Sequence, residues 1–307
     1  MEVGQRASPQ SASTAVIEES NFPALYRAAD QNSLDGERRF LTATRLRLAM
    51  LVAAAVFGLF TWRTGGGDIA GIGAATAFGI ALLSEVYLLK ARPDRLWYDG
   101  RAAAESAKTL TWRYLVGGSP FGKTEGSDRE AEQLLLDRFN QIARELKGVY
   151  LVPVSEGADQ VSPALRRIRS LPLDERLEQY RTGRIHDQRD WYARKARWNE
   201  RRATRWSLAL TTLEALGLVG AVLKATGLLE VDLLGLAGAL VATGVAWIQT
   251  KQHQTLASAY AVASQELSVI SSQIEWTSSN EDEWAHFVDQ AEEAISREHT
   301  LWRASHS

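Results

Sequence analysis

The chain has no cysteine, which removes disulfides, thiolate nucleophiles, zinc-thiolate sites and iron-sulfur clusters at once. It also lacks a charge bias. Its 35 basic and 37 acidic side chains over 307 residues leave a formal charge of -2, and without a basic surplus there is no electrostatic footprint for nucleic acid. The histidines His186, His253, His286, His299 and His306 show no HExxH or paired spacing. No Ser-His-Asp order stands out either, so metal and triad chemistry are unsupported, and an enzyme is not expected. No alternating strand pattern is strong; the best run, Val149-Tyr-Leu-Val-Pro-Val154, is interrupted by a proline. Residues 1–20 are polar and Ser-rich, with no apolar run of the secretory kind, and read as a disordered tail.

What is present is a sharp segregation of charge. Segments 48–84 and 206–250 contain only six charged side chains, Arg63, Asp68, Glu214, Lys224, Glu230 and Asp232. The remainder is heavily charged, and a disordered or collagen-like chain is excluded. A bilayer core about 30 Å thick takes about 20 mostly apolar residues per helical crossing. Four stretches approach this: 46–62, 69–89, 206–223 and 228–250. The turns at 63–68 and 224–227 are too short to do more than reverse direction, so each pair makes an antiparallel helical hairpin. Because Leu48 to Trp62 alone is short, a soluble bundle with unusually apolar helices is the competing reading.

Flanking charge favours the membrane. Arg38, Arg39, Arg45 and Arg47 precede the first span, and Lys90, Arg92, Arg95 and Arg101 follow the second. Arg194, Lys195, Arg197, Arg201, Arg202 and Arg205 precede the third, and Lys251 follows the fourth, whereas the turns hold only Arg63 and Lys224. By the positive-inside rule both termini are expected in the cytoplasm, and Trp62, Trp206 and Trp247 fall at span ends, where indoles favour the headgroup layer. The expected fold is therefore an all-α membrane protein: four transmembrane helices arranged as two tandem two-span hairpins with long cytoplasmic helices. The units run over 21–148 and 173–307, joined by a linker at 149–172.

The two halves align at a spacing of 160 residues, 45–114 over 205–274. In the first, Leu96, Gly100, Ala103, Ala107, Leu110 and Tyr114 step by 4, 3, 4, 3, 4; Leu256, Tyr260, Ala263, Leu267, Ile270 and Ile274 repeat those steps in register. Each is a heptad seam, the apolar edge by which a helix packs lengthwise on another. The small residues of the first seam imply either very close contact with a neighbour or a weakly held helix. The stretch 174–205 ahead of the third span reads as a long Arg- and Trp-rich helix projecting from the membrane. Further cytoplasmic helices are expected near 128–147 and 281–303.

Gly117-Gly-Ser-Pro-Phe-Gly122-Lys123-Thr124 matches the phosphate-binding pattern G-x-x-x-x-G-K-[ST] letter for letter. It is read as a helix-helix loop, because a heptad helix precedes it instead of a strand and Pro120 lacks one of the required N–H donors. Carboxylate pairs such as Glu281/Asp282/Glu283 and Glu292/Glu293 read as solvated helix faces or caps.

Glu214 differs, since it lies about 12 Å into the third span and an ionisable group at that depth faces a bundle interior, a partner or water. Thr211, Thr212 and Thr243 supply hydroxyls nearby in sequence. Either Glu214, Thr211 and Thr243 line an ion path, with Glu85 as a weaker member, or a protonated Glu214 packs against a neighbouring helix. Small-residue faces on the fourth span (Gly235, Gly238, Ala239, Ala242, Ala246) and the second (Gly71, Gly73, Ala74, Ala77, Ala81) imply contacts between halves and between subunits of a homo-oligomer. On the first heptad helix, Glu105, Lys108, Trp112 and Arg113 are the candidates for coupling cytoplasmic events to the spans.

The order of a basic helix, a tight two-span hairpin and the stretch Trp97-Tyr-Asp-Gly-Arg-Ala-Ala-Ala-Glu-Ser-Ala-Lys-Thr-Leu-Thr-Trp-Arg-Tyr114, then Pro120-Phe121, resembles the SLATT family, the SMODS and SLOG associating two-transmembrane effectors. The second half, with Tyr180-Arg181, Trp191-Tyr192, Lys195, Asn199 and Ala203 ahead of its hairpin, is similar to another subtype, so a tandem pair would cover 22–303. The resemblance implies a pore-forming effector of the bacterial inner membrane, linked to nucleotide second-messenger defence. The expected partners are the lipid bilayer, further copies of the chain, and a cytoplasmic sensor protein or nucleotide messenger. No cofactor, metal or catalytic residue is carried over. A membrane scaffold that recruits a cytoplasmic partner and conducts nothing is the alternative.

Overall fold

The computed structural model describes residues 17–64, 66–123, 126–146, 159–274 and 280–304. The tail through residue 16, the strand candidate at 149–154 and Thr124 lie outside them. The described chain is almost wholly helical, and four of its helices are long and apolar enough to cross a membrane.

Helix α1 (Ala24–Gly58) runs from the charged N-terminal half of the first unit into the first apolar stretch. It ends at Gly58, four residues before the expected Trp62, and a two-residue antiparallel ribbon, β1 (Arg63–Thr64) with β2 (Gly67–Asp68), makes the turn. Asp68 closes that turn by accepting from Trp62 N (2.9 Å) and Ala70 N (3.1 Å), which caps α2 (Ile69–Ala91). In the second hairpin α7 (Asp187–Ala225) precedes α8 (Leu233–Lys251). The fourth span starts at Leu233 instead of 228 because Asp232, paired with Lys224 at 3.3 Å, caps it there. Both turns thus owe their shape to one of the few charges in the apolar segments, placed where a carboxylate meets orphan N–H groups.

Glycine sets the spacing inside the hairpins. A Cβ on Gly217 would fall 2.8 Å from Ala237 Cβ, and one on Gly220 2.7 Å from Leu233 Cβ. Gly79 and Gly238 have open space instead.

Outside the spans, α3 (Pro93–Val116) folds back along α1, and α9 (His253–Ile274) along α7. The first seam makes the close contact: a Cβ on Gly100 would lie 2.9 Å from Ser33 N, and one on Gly36 2.5 Å from Trp97 N. None of the twelve seam residues is exposed. Helices α4 (Asp128–Glu145), opened by a reciprocal Ser127/Glu130 capping box, and α10 (Glu281–Ala304) stand where expected. Short helices α5 (Pro163–Arg169) and α6 (Leu173–Tyr180) come next in the chain, and a π-helical turn at Arg181–His186 joins α6 to α7. The long helix foreseen at 174–205 is thus present but carries this wide turn. The core gathers where α3, α6, α9 and α10 meet, around Trp112, Tyr180, Trp284 and Leu267.

Candidate functional site

Thr211 and Glu214 stand exposed on α7 within its span. Thr243 is half-buried on α8, one turn from Trp247 and two from Lys251. Those two residues meet α1, Trp247 under the Arg45 guanidinium at 5.2 Å and Lys251 at 3.7 Å from Glu37. Thr243 therefore shares the α8 face turned toward the first hairpin, away from the exposed stripe of α7. Glu85 forms an ion pair with Arg47 across the first hairpin.

The coupling candidates fall at the junction of the halves. Trp112 is buried edge-on against Tyr180 (6.0 Å) and Phe22 (6.5 Å). Arg113 reaches α10 at Asp289, 2.8 Å to the carboxylate and 3.2 Å to the carbonyl. Lys108 lies close enough to the buried cluster that burial, then the Arg184 charge, pushes its pKa down. Glu105 pairs with Arg101 at 3.6 Å on α3 itself.

That cluster centres on Glu292, which corrects its reading as a solvated face. Arg184 and Glu292 are 1% and 0% exposed. Arg184 Nε donates to Glu292 Oε1 (2.9 Å) and Nη2 to Oε2 (2.7 Å), a bidentate fork. Tyr180 Oη donates to Oε1 (3.0 Å) and Thr109 Oγ1 to Oε2 (3.0 Å). Burial alone would lower the Arg184 pKa; the Glu292 charge and hydrogen bonds more than reverse this, so the guanidinium stays protonated. Burial first and Glu292 second push the Tyr180 hydroxyl far above its ordinary range. The sequence does hold a signal for this site. Glu292 lies four residues after Val288 and three before Ile295, on the same helix face as those buried side chains.

Two more buried arginines hold the C-terminal end of α3, whose last carbonyls have no helical partners. Arg169 Nη1 donates to the carbonyls of Tyr114 (2.6 Å) and Phe121 (3.0 Å), and its Nε to Asp128 (2.9 Å). Arg176 Nη1 donates to Val116 O (2.5 Å), which also accepts from Trp284 Nε1 (2.7 Å). Arg176 further pairs with Glu281, so that carboxylate too anchors a buried cation instead of facing solvent alone. Positive groups at a helix C-terminus complement its dipole.

The same contacts engage the described part of the loop, residues 117–123, in protein hydrogen bonds. Gly118 N donates to Arg113 O, Ser119 N to Ala285 O, and Phe121 N to Gly118 O. Gly117, at φ 75°, takes the left-handed conformation that ends α3. Lys123 pairs with Asp128 at 3.7 Å. With these N–H groups committed to protein carbonyls, the loop works as a helix cap.

The π turn keeps two of these anchors on one side. Arg184 follows Arg176 after eight residues, one more than two α-helical turns; the π turn between them absorbs the additional residue and keeps the two on one face. Gly183 lets the turn approach Trp112, since a Cβ there would lie 3.0 Å from the indole. Among the described residues no group of His, Asp and Glu side chains has the makings of a metal site.

No curated protein and no solved structure matches the chain. Two family profiles do: SMODS and SLOG-associating 2TM effector domain 3 over residues 23–177, and SMODS and SLOG-associating 2TM effector domain 1 over 180–302. Their boundary falls immediately before the π turn, so the buried cluster joins Thr109 of the first domain to Arg184 and Glu292 of the second. With its two apolar hairpins and nearly all-helical fold, the chain belongs to the SLATT family, as a tandem pair of two-transmembrane effector domains.

Proposed function

We propose that this membrane effector is an oligomeric ion channel or pore of the bacterial inner membrane, with both termini in the cytoplasm, gated through its cytoplasmic helices. The observation that carries this reading is Glu214, exposed on a single chain within an otherwise apolar span. A carboxylate at that depth is costly against hydrocarbon and calls for polar surroundings, which further subunits and water supply. A ring of such carboxylates favours cations. Open space at Gly79 and Gly238 leaves room for close helix contact between subunits.

The gating part of the reading is supported by α7, which runs unbroken from Asp187, beside the buried cluster, past Glu214. A sensor protein or nucleotide messenger acting on the cytoplasmic helices would then be felt along one rigid element. Single-channel recording in planar bilayers tests the proposal. Glu214→Gln alters conductance or cation preference while the oligomer assembles normally, and unchanged currents would remove Glu214 from the path. Liposome flux at background for a well-assembled oligomer would instead support the non-conducting scaffold. Reporter fusions at each terminus test the orientation.

A further inference from the structure

A cavity of about 230 Å³ opens between the two halves where the spans give way to the cytoplasmic helices. Glu37, Trp97 and Arg101 line it from the first half, and Lys195, Trp198 and Lys251 from the second. Its height is set by its neighbours. Lys251 ends α8 one turn beyond Trp247, and Trp97 opens the second turn of α3, six residues past the end of α2. Both positions belong to the headgroup layer, where indole rings and basic side chains concentrate.

The charge is lopsided, three cations against one carboxylate. Lys251 reaches Glu37 at 3.7 Å, and Arg101 reaches Glu105 at 3.6 Å. Lys195 is held differently: its ammonium lies 5.4 Å from the Trp191 ring and 5.9 Å from the Trp198 ring. Two indoles thus fix a cation facing the cavity without neutralising it. His253 and Asn199 complete a polar wall, with His253 Nδ1 donating to Asn199 Oδ1 at 2.8 Å. The volume far exceeds the roughly 30 Å³ share of one water.

We propose that this cavity binds the phosphate headgroup of an anionic phospholipid, held by Arg101, Lys195 and Lys251 between walls of tryptophan. A basic pocket between helices at the membrane surface suits that chemistry, and a lipid phosphate is the anion the bilayer presents at that height. Because the cations come from α3, α7 and α8, one bound headgroup bridges the two SLATT domains. The assignment needs only that the spans lie in lipid, so it stands or falls separately from conduction.

Native mass spectrometry of the full chain, released from nanodiscs of mixed phosphatidylglycerol and phosphatidylcholine, tests it. The wild type retains phosphatidylglycerol preferentially. Arg101→Gln with Lys195→Gln lowers that preference roughly thirtyfold, about fivefold for each near-surface cation. The charge-keeping pair Arg101→Lys with Lys195→Arg retains it, as does the control pair Arg129→Gln with Arg144→Gln on exposed α4 positions. No preference in the wild type, no loss in the glutamine pair, or an equal loss in the charge-keeping pair would each overturn the proposal. A second arm adds glycerol 3-phosphate or AMP to protein held in phosphatidylcholine alone. No retention is expected; binding of these solutes that depends on Lys195, with lipid retention unaffected by the variants, would reassign the cavity to a free phosphorylated molecule.

Discussion

Arg92 and Gln252 stand 160 residues apart and bend the backbone in the same way. They have φ values of 44° and 48°, and among the described residues no other non-glycine residue has a positive φ. Each follows the last turn of a span, and each donates its N–H four residues back, Arg92 to Leu88 O (3.2 Å) and Gln252 to Ile248 O (2.8 Å). Each then starts the helix that carries a heptad seam. The repeat inferred from spacing is therefore a repeat of backbone geometry, with a left-handed residue at the same step of both domains.

Glycine at either position would relieve the left-handed cost of about 1 kcal/mol. Arg92→Gly and Gln252→Gly should each raise the unfolding midpoint of the detergent-solubilised chain slightly, and the double variant should show the sum, since the sites are well separated. A loss of stability at either site would mean that its side chain contributes more than the bend costs.

Removing one partner of the Arg184–Glu292 pair strands a buried charge. Glu292→Leu should cost about 3–5 kcal/mol, whereas Arg184→Met with Glu292→Leu should come within about 1 kcal/mol of wild type or exceed it. Chemical unfolding of the purified chain, followed by tryptophan fluorescence, compares the two.

Gly36→Ala and Gly100→Ala place a methyl group against the backbone of the opposing helix, where neither side can yield. Each should destabilise by about 1–3 kcal/mol. Gly79→Ala and Gly238→Ala meet nothing within 4 Å and should leave the stability of the single chain unchanged. Thermal shift of the four variants side by side tests the contrast.

His253 should make the junction between the two halves acid-sensitive. Burial, then the nearby Lys251 and Arg202 charges, hold its pKa below the ordinary 6.5. The unfolded chain therefore takes up this proton first as pH falls, so stability is present above about 6.5 and drains away toward the folded value. His253→Gln should flatten the fall in melting temperature between about pH 7 and 5. His186, lowered chiefly by burial, contributes a background of the same sign, so the slope should shrink without vanishing.

Much of this architecture was legible in the sequence, because hydropathy, short turns and flanking arginines are constrained residue by residue by lipid. The repeat was legible for the same reason. Small residues in the first seam left close packing and loose packing equally open, and only the opposing backbone of α1 decides between them. The buried ion pairs were not read at all. Arg169, Arg176, Arg184 and Glu292 are buried among charged neighbours such as Arg166, Asp174 and Glu293 that are exposed, and only position relative to the apolar stripe separates the two kinds. The π turn has no compositional mark. Its trace is the eight-residue step from Arg176 to Arg184, which becomes meaningful once both are known to be buried. The candidate path lies on two different helix faces within one chain, an arrangement that spacing along the sequence does not reveal.

The tandem arrangement also restricts stoichiometry. Every chain contributes one hairpin of each kind, welded together by Arg184, Glu292 and Thr109. Any closed ring built from it must contain equal numbers of both kinds, and its rotational order can be only half its hairpin count.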